Sequence, residues 1–203
     1  MGNGTARRNI GILGGSFDPV HLGHLIMAET AREAAGLDEV WFVPAFHAPH
    51  KPEPPVAAPD QRLEMVKLAI RGNPCFRAED IELRIGGTSY TVDTMRRLVE
   101  RHPAAEFHFI VGADMAETLH TWHRAEELLQ LVKFIALRRP GSDCDSQRLP
   151  EMVRRRVDVV DAPLIGISSS DIRRRVAEGK SVRYLVPDDI YDYIKENRIY
   201  VGT

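Results

Sequence analysis

Short apolar runs alternate with longer amphipathic stretches along this 203-residue chain. The runs have the length of buried strands, and the stretches between them repeat apolar residues at helical spacing. Such alternation predicts an α/β fold with a doubly wound, mainly parallel sheet and helices on both faces. Strands are predicted at Ile10–Leu13, Val40–Val43, Phe107–Val111, Phe134–Leu137 and Val157–Val160, and helices at Leu22–Ala35, Asp60–Arg71, Thr91–Arg101 and Arg124–Leu131.

Distinctive residues follow the predicted strands. Glycines or prolines come after four of the strands, at Gly14-Gly15, Pro44, Gly112-Ala113-Asp114 and Arg138-Arg139-Pro140. Ligands of doubly wound sheets bind beyond the carboxyl ends of the strands, so we expect these residues to face one cleft. The proline-rich stretch Pro44–Pro59 and the polar stretch Gly141–Arg148 are predicted as loops.

The run Gly-Gly-Ser-Phe-Asp-Pro-Val-His-Leu-Gly-His, residues 14–24, lies between the first strand and the first helix. A helix start offers unpaired N–H groups and the positive end of the helix dipole, which favour an anion. Glycines let the backbone approach that anion closely. His21 and His24, three residues apart, project from one face and can donate to the oxygens of one polyphosphate. The run therefore predicts a phosphate site.

Three alternatives compete with a phosphate site in this run. An ordinary tight turn would have Asp18 and Pro19 start the helix and leave the histidines on a wet surface. A zinc site would join His21 and His24 to His47 or His50, but it would not need the glycines, and the chain has no CxxC or HExxH spacing. A dehydrogenase is disfavoured, because the glycine spacing departs from the GxGxxG dinucleotide fingerprint.

A second helix start lies at Ile167–Arg173. Ser168 and Asp171 have the spacing of a capping box, and Gly179 suits the end of the helix. One interpretation is a capped surface helix with solvated arginines. The other is a second anion site, because serine hydroxyls and an arginine one turn inside the helix can bind phosphate oxygens together.

The two segments resemble the signatures of the HxGH nucleotidyltransferases, Ser-Phe-Asp-Pro-x-His-x-Gly-His and Ile-Ser-Ser-Thr/Ser-x-Ile-Arg. The resemblance implies a Rossmann-like fold of the nucleotidyltransferase type and transfer of a nucleotidyl group. It implies catalytic roles for His21, His24, Arg173 and Lys51. It also implies an ATP site built from Gly14, Gly15, Ser16, Phe17, His21, Gly23, His24, Gly112, Asp114, Ile167, Ser169, Ser170 and Arg173.

The middle of the chain resembles one branch of this superfamily, the bacterial nicotinate-nucleotide adenylyltransferases. The likeness rests on Pro49-His50-Lys51, Ser89-Tyr90-Thr91, Gly112–Met115 and Trp122, and it extends from Ile10 to about Tyr200. Ala48 is a departure, because relatives often have a second proline there. The resemblance implies that nicotinate mononucleotide binds to Ser16, His50, Lys51, Thr91, Thr118 and Trp122.

The side chains of Trp122 and Thr91 are chemically suited to bind nicotinate mononucleotide. An indole such as that of Trp122 stacks on a pyridinium ring, and the Thr91 hydroxyl can donate to a carboxylate. A partly buried core tryptophan, an N-cap role for Thr91 and a helix-start role for Asp114 remain open alternatives. The expected reaction joins nicotinate mononucleotide to the adenylyl group of ATP, with Mg²⁺ carried by the ATP phosphates and no protein metal site. Another phosphate acceptor, such as nicotinamide mononucleotide, or a non-catalytic nucleotide sensor are the alternatives.

Composition and charge limit the classes of partner and the location that we expect for the protein. The net charge of -2 and the absence of a long basic run disfavour nucleic acid. Cys75 and Cys144 are isolated, and no segment is apolar for long enough to span a bilayer, so we expect a cytoplasmic protein. Residues 1–8 are predicted to be a polar leader, and residues 9–203 a single domain. The sequence leaves open whether copies of the chain form a homo-oligomer.

Overall fold

The computed structural model describes residues 7–138 and 149–202. Their strands form one sheet in the order β3-β2-β1-β4-β5-β6, and every neighbouring pair is parallel. The strands are β1 (Arg8–Gly15), β2 (Glu39–Pro44), β3 (Phe76–Ala78), β4 (Ala105–Gly112), β5 (Lys133–Arg138) and β6 (Val157–Asp161). The order reverses between β1 and β4, which makes their carboxyl ends the switch point of a doubly wound sheet. The predicted fold class is confirmed.

Helices cover both faces of the sheet. They are α1 (Leu22–Ala34), α2 (Pro59–Ile70), α3 (Ile81–Ile85), α4 (Thr91–Arg101), α5 (Ala113–Thr118), α6 (Ala125–Leu131), α7 (Glu151–Arg154), α8 (Ser169–Ala177) and α9 (Asp188–Glu196), with a 3₁₀ turn at Leu119–Thr121. Alternate strand residues point to opposite faces. Leu13 thus packs in the core beneath α1, α2, α8 and α9, while Ile12 packs beneath α3, α4, α5, α6 and α7.

Some elements differ from the sequence prediction. The short strand β3 and the helices α3, α5, α7 and α9 were not predicted. Strand β1 begins at Arg8, inside the predicted leader, where Arg8 pairs with Ala105 of β4 and forms an ion pair with Glu39. The predicted polar loop Gly141–Arg148, together with Cys144 in it, lies outside the described residues.

Across residues 7–138 and 149–202, no helix has the length and apolar character needed to cross a bilayer. Within the same ranges, no cluster of three or more histidine, cysteine or acidic side chains is arranged to hold a metal ion. Cys75 is a free thiol.

Candidate active site

Packing fixes His21 and His24 at the start of α1. His21 is the N-cap of α1, and its backbone N–H donates to Nδ1 of His24 at 3.2 Å. The two imidazole rings stack with centroids 3.7 Å apart, and the buried Phe17 ring meets His24 edge-on at 5.0 Å. A Cβ at Gly23 would lie 3.0 Å from Nδ1 of His21, so glycine leaves the room that this ring needs.

Both imidazoles are neutral at pH 7. Burial lowers the pKa of His21 to about 4. Burial also lowers the pKa of His24 well below its usual value, and the nearby His21 and Lys51 add to that shift. Because Nδ1 of His24 accepts a hydrogen bond, its Nε2 carries the proton and can donate. Nδ1 of His21 is buried without a hydrogen-bond partner among the described residues.

The start of α8 packs against the same turn. Ser168 is its N-cap, and the Ser168 hydroxyl accepts from the Asp171 N–H at 3.2 Å. The next hydroxyl, that of Ser169, donates to the Pro19 carbonyl at 2.8 Å. Arg173 Nη1 donates to the Asp18 carbonyl at 2.8 Å. The two helix starts that stand out in the sequence therefore meet in space.

Lys51 reaches this turn from the loop between β2 and α2. Its Nζ donates to the Ser16 hydroxyl at 3.1 Å. Partial burial lowers the pKa of Lys51, and the positive charge of Arg173 lowers it further. The pKa of His50 is lowered by partial burial and then by Lys51. Lys51 and Arg173 therefore present their positive charge to one region.

Arg62 of α2 is a buried residue of the site that the sequence pattern did not predict. Only 1% of its surface is exposed. Its Nη1 donates to the Ser16 carbonyl at 2.7 Å and to the Ala45 carbonyl at 2.6 Å, and its Nε donates to the Ala57 carbonyl at 3.3 Å. The guanidinium thus ties the β1–α1 turn to the β2–α2 loop. An arginine on an amphipathic helix carries no sequence signal for this role.

Asp18 is buried at the centre of the same region. The Val56 N–H donates to its Oδ2 at 2.8 Å, and the Ala57 N–H and the Tyr200 hydroxyl donate to its Oδ1 at 3.0 and 2.8 Å. The ordinary-turn alternative has Asp18 start α1. Asp18 does not do so, because its carboxylate accepts these three hydrogen bonds instead. Asp18 lies in the Ser-Phe-Asp-Pro-x-His-x-Gly-His motif, so the sequence could have indicated it as a site residue. Nothing in the sequence indicated Tyr200.

The start of α4 lies near the β2–α2 loop. The Ser89 N–H donates to the His47 carbonyl at 2.9 Å, and the Ser89 hydroxyl accepts from the Phe46 N–H at 3.0 Å. Tyr90, not Thr91, is the N-cap of α4, so the N-cap alternative for Thr91 is wrong. Thr91 is the first residue of the helix and is partly exposed.

Trp122 follows the 3₁₀ turn and is partly buried. Its ring meets Phe109 of β4 edge-on at 6.2 Å, and the next residue, His123, packs its ring 4.2 Å from that of Tyr90. The Trp122 segment therefore lies against the start of α4. Trp122 also lines a groove of about 400 Å³, together with His120, Arg124, Ala125, Glu126 and Glu127.

Comparison with known proteins settles the family. Residues 12–175 match the model of the cytidylyltransferase-like family. A protein of Lactiplantibacillus plantarum named probable nicotinate-nucleotide adenylyltransferase is 48% identical, over 95% of this chain and 88% of its own length. A protein of the same name from Oceanobacillus iheyensis is 45% identical, over 95% of this chain and 97% of its own. The chain belongs to the nicotinate-nucleotide adenylyltransferase family.

Solved structures support the fold of this family member. The nicotinic acid mononucleotide adenylyltransferase of Plasmodium falciparum, complexed with NaAD, superposes with a TM-score of 0.78 at 22% identity, covering 95% of this chain and 97% of that one. A second structure of the Plasmodium enzyme, complexed with APC, gives a TM-score of 0.74 at 21% identity and covers the same shares of both chains. At these identities the comparison establishes the shared fold.

The remaining predicted site residues of this family member lie at the ends of strands or near the starts and ends of helices. Gly112 is the N-cap of α5, and Asp114 is exposed in its first turn. The Thr118 hydroxyl donates within that helix, to the Met115 carbonyl at 3.1 Å. Gly14, Gly15, Ile167 and Ser170 border the two helix starts, where Ile167 packs against the core and the Ser170 hydroxyl lies 3.2 Å from that of Ser168.

Proposed function

We propose that this chain transfers the adenylyl group of ATP to nicotinate mononucleotide, giving nicotinate adenine dinucleotide and pyrophosphate. The observation that carries the proposal is the meeting of the two helix starts, with a lysine and an arginine beside them. Ser169 and Arg173 of α8 contact the turn that holds His21 and His24, and Lys51 contacts Ser16 in the same turn. The relatives named above carry the same activity in their names.

The ATP triphosphate is assigned to the two helix starts. His21 and His24 bind the phosphates next to the reacting phosphorus, and Arg173 binds the β and γ phosphates with Ser169 and Ser170. The Nε2 proton of His24 supports this assignment, because Nδ1 of the same ring already accepts a hydrogen bond. The remaining proposed ATP contacts are Gly14, Gly15, Ser16, Phe17, Gly23, Gly112, Asp114 and Ile167.

The chemistry needs no protein base. The 5'-phosphate of nicotinate mononucleotide is already an anion at neutral pH, so one of its oxygens attacks the α-phosphorus of ATP, and the bond to the pyrophosphate oxygen breaks. The residues align the two phosphates and neutralise charge as pyrophosphate leaves. Lys51 neutralises the acceptor phosphate, and the buried histidines donate to developing charge without carrying charge of their own.

MgATP is the nucleotide substrate in this proposal. Mg²⁺ binds phosphate oxygens and keeps several waters, so it does not require a cage of protein ligands. The donor set agrees, because the described residues near the turn are histidine rings, hydroxyls and cations, and Asp18 is already held by three hydrogen bonds.

The acceptor is assigned to the region between the β2–α2 loop and the Trp122 segment. Trp122 stacks on the pyridine ring, and the Thr91 hydroxyl donates to the nicotinate carboxylate, with His50 and Thr118 as further contacts. The place of Thr91 in the first turn supports this, since Tyr90 serves as the N-cap of α4 in its stead. A carboxylate only accepts hydrogen bonds, so a site of donors favours the acid over the amide.

A cytoplasmic location is part of the proposal, with ATP and nicotinate mononucleotide as partners in place of nucleic acid. Cys75 is a free thiol, and thiols stay reduced in that compartment. The net charge of -2 disfavours nucleic acid, and a local cluster of cations can still hold a small anionic ligand.

A product assay tests the function. The protein is incubated with MgATP and, in parallel, nicotinate mononucleotide, nicotinamide mononucleotide or phosphopantetheine, and pyrophosphate and the adenylylated product are followed by chromatography. Rapid formation of the deamido dinucleotide, with little product from the amide, is the expected result. Turnover only with another acceptor would overturn the acceptor assignment. ATP binding without turnover on any acceptor would indicate a nucleotide sensor.

A further inference from the structure

Tyr200 lies close to the end of the chain, yet its side chain reaches the β1–α1 turn. Only 2% of its surface is exposed, and its hydroxyl donates to Asp18 Oδ1 at 2.8 Å. Burial raises the pKa of the phenol above its usual value, and the charge of Asp18 raises it further, so the hydroxyl keeps its proton and stays a donor. Residues 182 positions apart in sequence are thus joined by one buried hydrogen bond.

The backbone at Tyr200 is held in an uncommon conformation. Its φ is +65°, in the left-handed region that side chains other than glycine rarely adopt. Arg198, two residues earlier, also has a positive φ of +51°. Such conformations persist where the surrounding contacts determine them. The buried ring and the bond to Asp18 supply those contacts.

Asp18 connects Tyr200 to Arg173. Its Oδ1 accepts from Tyr200 and from the Ala57 N–H, while its Oδ2 accepts from the Val56 N–H and lies 3.7 Å from Arg173 Nη1. The same Nη1 already donates to the Asp18 carbonyl at 2.8 Å. A carboxylate that loses one donor attracts the cations near it more strongly, and Arg173 lies within ion-pair distance of Asp18. Without the Tyr200 hydroxyl, Asp18 would therefore compete with ATP for Arg173.

We propose that Tyr200 is a positioning residue, whose hydroxyl occupies Asp18 so that Arg173 remains available to the phosphates of ATP. The inference rests on the proposed function, because it takes Arg173 as a phosphate ligand. It adds the carboxyl-terminal segment to the phosphate site. In this role Tyr200 acts on Arg173 through the carboxylate of Asp18.

The test is the Tyr200→Phe variant, which removes one oxygen and keeps the buried ring. We expect the Kd for MgATP to rise, and kcat/KM for ATP to fall, by about tenfold, the lower end of the range for a hydrogen bond to a charged group. The KM for nicotinate mononucleotide should not change. Tyr193→Phe, the same change on α9, is the matched control and should leave all three values at wild type.

A double-mutant comparison separates positioning from general damage. If Tyr200 acts through Arg173, Tyr200→Phe should have no further effect in an Arg173→Ala background. Effects of the two changes that multiply, or a wild-type MgATP Kd for Tyr200→Phe, would overturn the proposal. Should Tyr200→Phe fail to fold, Asp18→Asn tests the same link with Tyr200 in place, because it removes the carboxylate charge that would compete with ATP for Arg173. It should leave the Kd for MgATP unchanged or lower it, and a Kd that rises would overturn the proposal.

Two measurements, the Kd for MgATP and the formation of dinucleotide product, distinguish this inference from the proposed function. The Kd for MgATP is measured by calorimetry without acceptor, so it reports on Tyr200 and Arg173 even if nicotinate mononucleotide proves not to be the acceptor. Absence of dinucleotide product with normal coupling between Tyr200 and Arg173 would overturn the acceptor assignment alone. Normal turnover without that coupling would overturn the role of Tyr200 alone.

Discussion

Lowering the pH from 7 to 5 should destabilise the protein through the buried histidine pair. The pKa of His21 is lowered to about 4 in the folded chain from an ordinary value of 6.5. Below pH 6.5 the unfolded chain takes up a proton at this position and the folded chain does not. The stability contribution of neutral His21 is therefore fully present above pH 6.5 and is lost as the pH falls towards 4.

The magnitude follows from the size of the shift. One pH unit below the unfolded pKa costs about 1.4 kcal/mol, so at pH 5 His21 alone should lower the free energy of unfolding by about 2 kcal/mol. His24 acts in the same direction, because burial and the charges of His21 and Lys51 lower its pKa. The buried His108 of β4 also has a lowered pKa and adds to the total.

Urea unfolding at pH 7 and pH 5 measures the effect. A His21→Gln variant cannot take up the proton, so its loss of stability between the two pH values should be smaller than that of wild type by about 2 kcal/mol. The exposed His120→Gln variant controls for removal of a histidine elsewhere. Comparing losses between variants cancels the contributions of His108 and of the carboxylates.

A His21→Gln variant that loses as much stability between pH 7 and pH 5 as wild type does would show that His21 does not cause the loss. Bound phosphate gives a second check. A polyphosphate beside the imidazoles favours their protonated form. Saturating MgATP at pH 5 should therefore reduce the difference between wild type and His21→Gln.

Three further predictions concern the site. His24→Ala should lower kcat by about 10²- to 10³-fold in the product assay if its N–H stabilises developing charge, and unchanged kcat would contradict that role. Arg62→Met should lower the free energy of unfolding by about 3 kcal/mol in urea, because it leaves the carbonyls of Ser16 and Ala45 buried without a donor; an unchanged midpoint would contradict this. Trp122→Ala should raise the KM for nicotinate mononucleotide by about tenfold and leave that for ATP unchanged, and equal changes in both would exclude stacking.

The sequence predicted the elements of this fold whose apolar residues recur at regular short spacing. Strand β1, helix α1 and helix α4 follow from apolar spacing, and α4 begins and ends at the predicted residues. Strand β3 has only three residues, too few to show alternation, and its partner β2 supplies its pairing. The start of α8 was predicted because its capping serine lies within the same few residues.

Long-range polar contacts could not be predicted in the same way. Arg62 lies on a helix whose sequence pattern would place an arginine in solvent, yet its surface is 1% exposed because carbonyls of two loops surround it. Tyr200 is an ordinary carboxyl-terminal aromatic until the fold brings Asp18 to its hydroxyl. The periodicity of apolar residues predicts which face of a helix or strand is buried. It does not predict which polar group a buried side chain will contact there.

The balance of buried positive and negative charge explains why the polar contacts of Arg62 and Asp18 occur in one place. Asp18 is the acidic group that lies among Lys51, Arg62 and Arg173 in the described part of the turn and its loops. Burial lowers the pKa of Lys51 and of Arg62, which shows that holding these cations out of water opposes their charge. Backbone carbonyls and Asp18 offset that cost only in part, and the polyphosphate of the proposed ATP site would supply further negative charge. We therefore expect MgATP to stabilise the fold through this cluster, and phosphate charge to contribute much of the affinity for ATP.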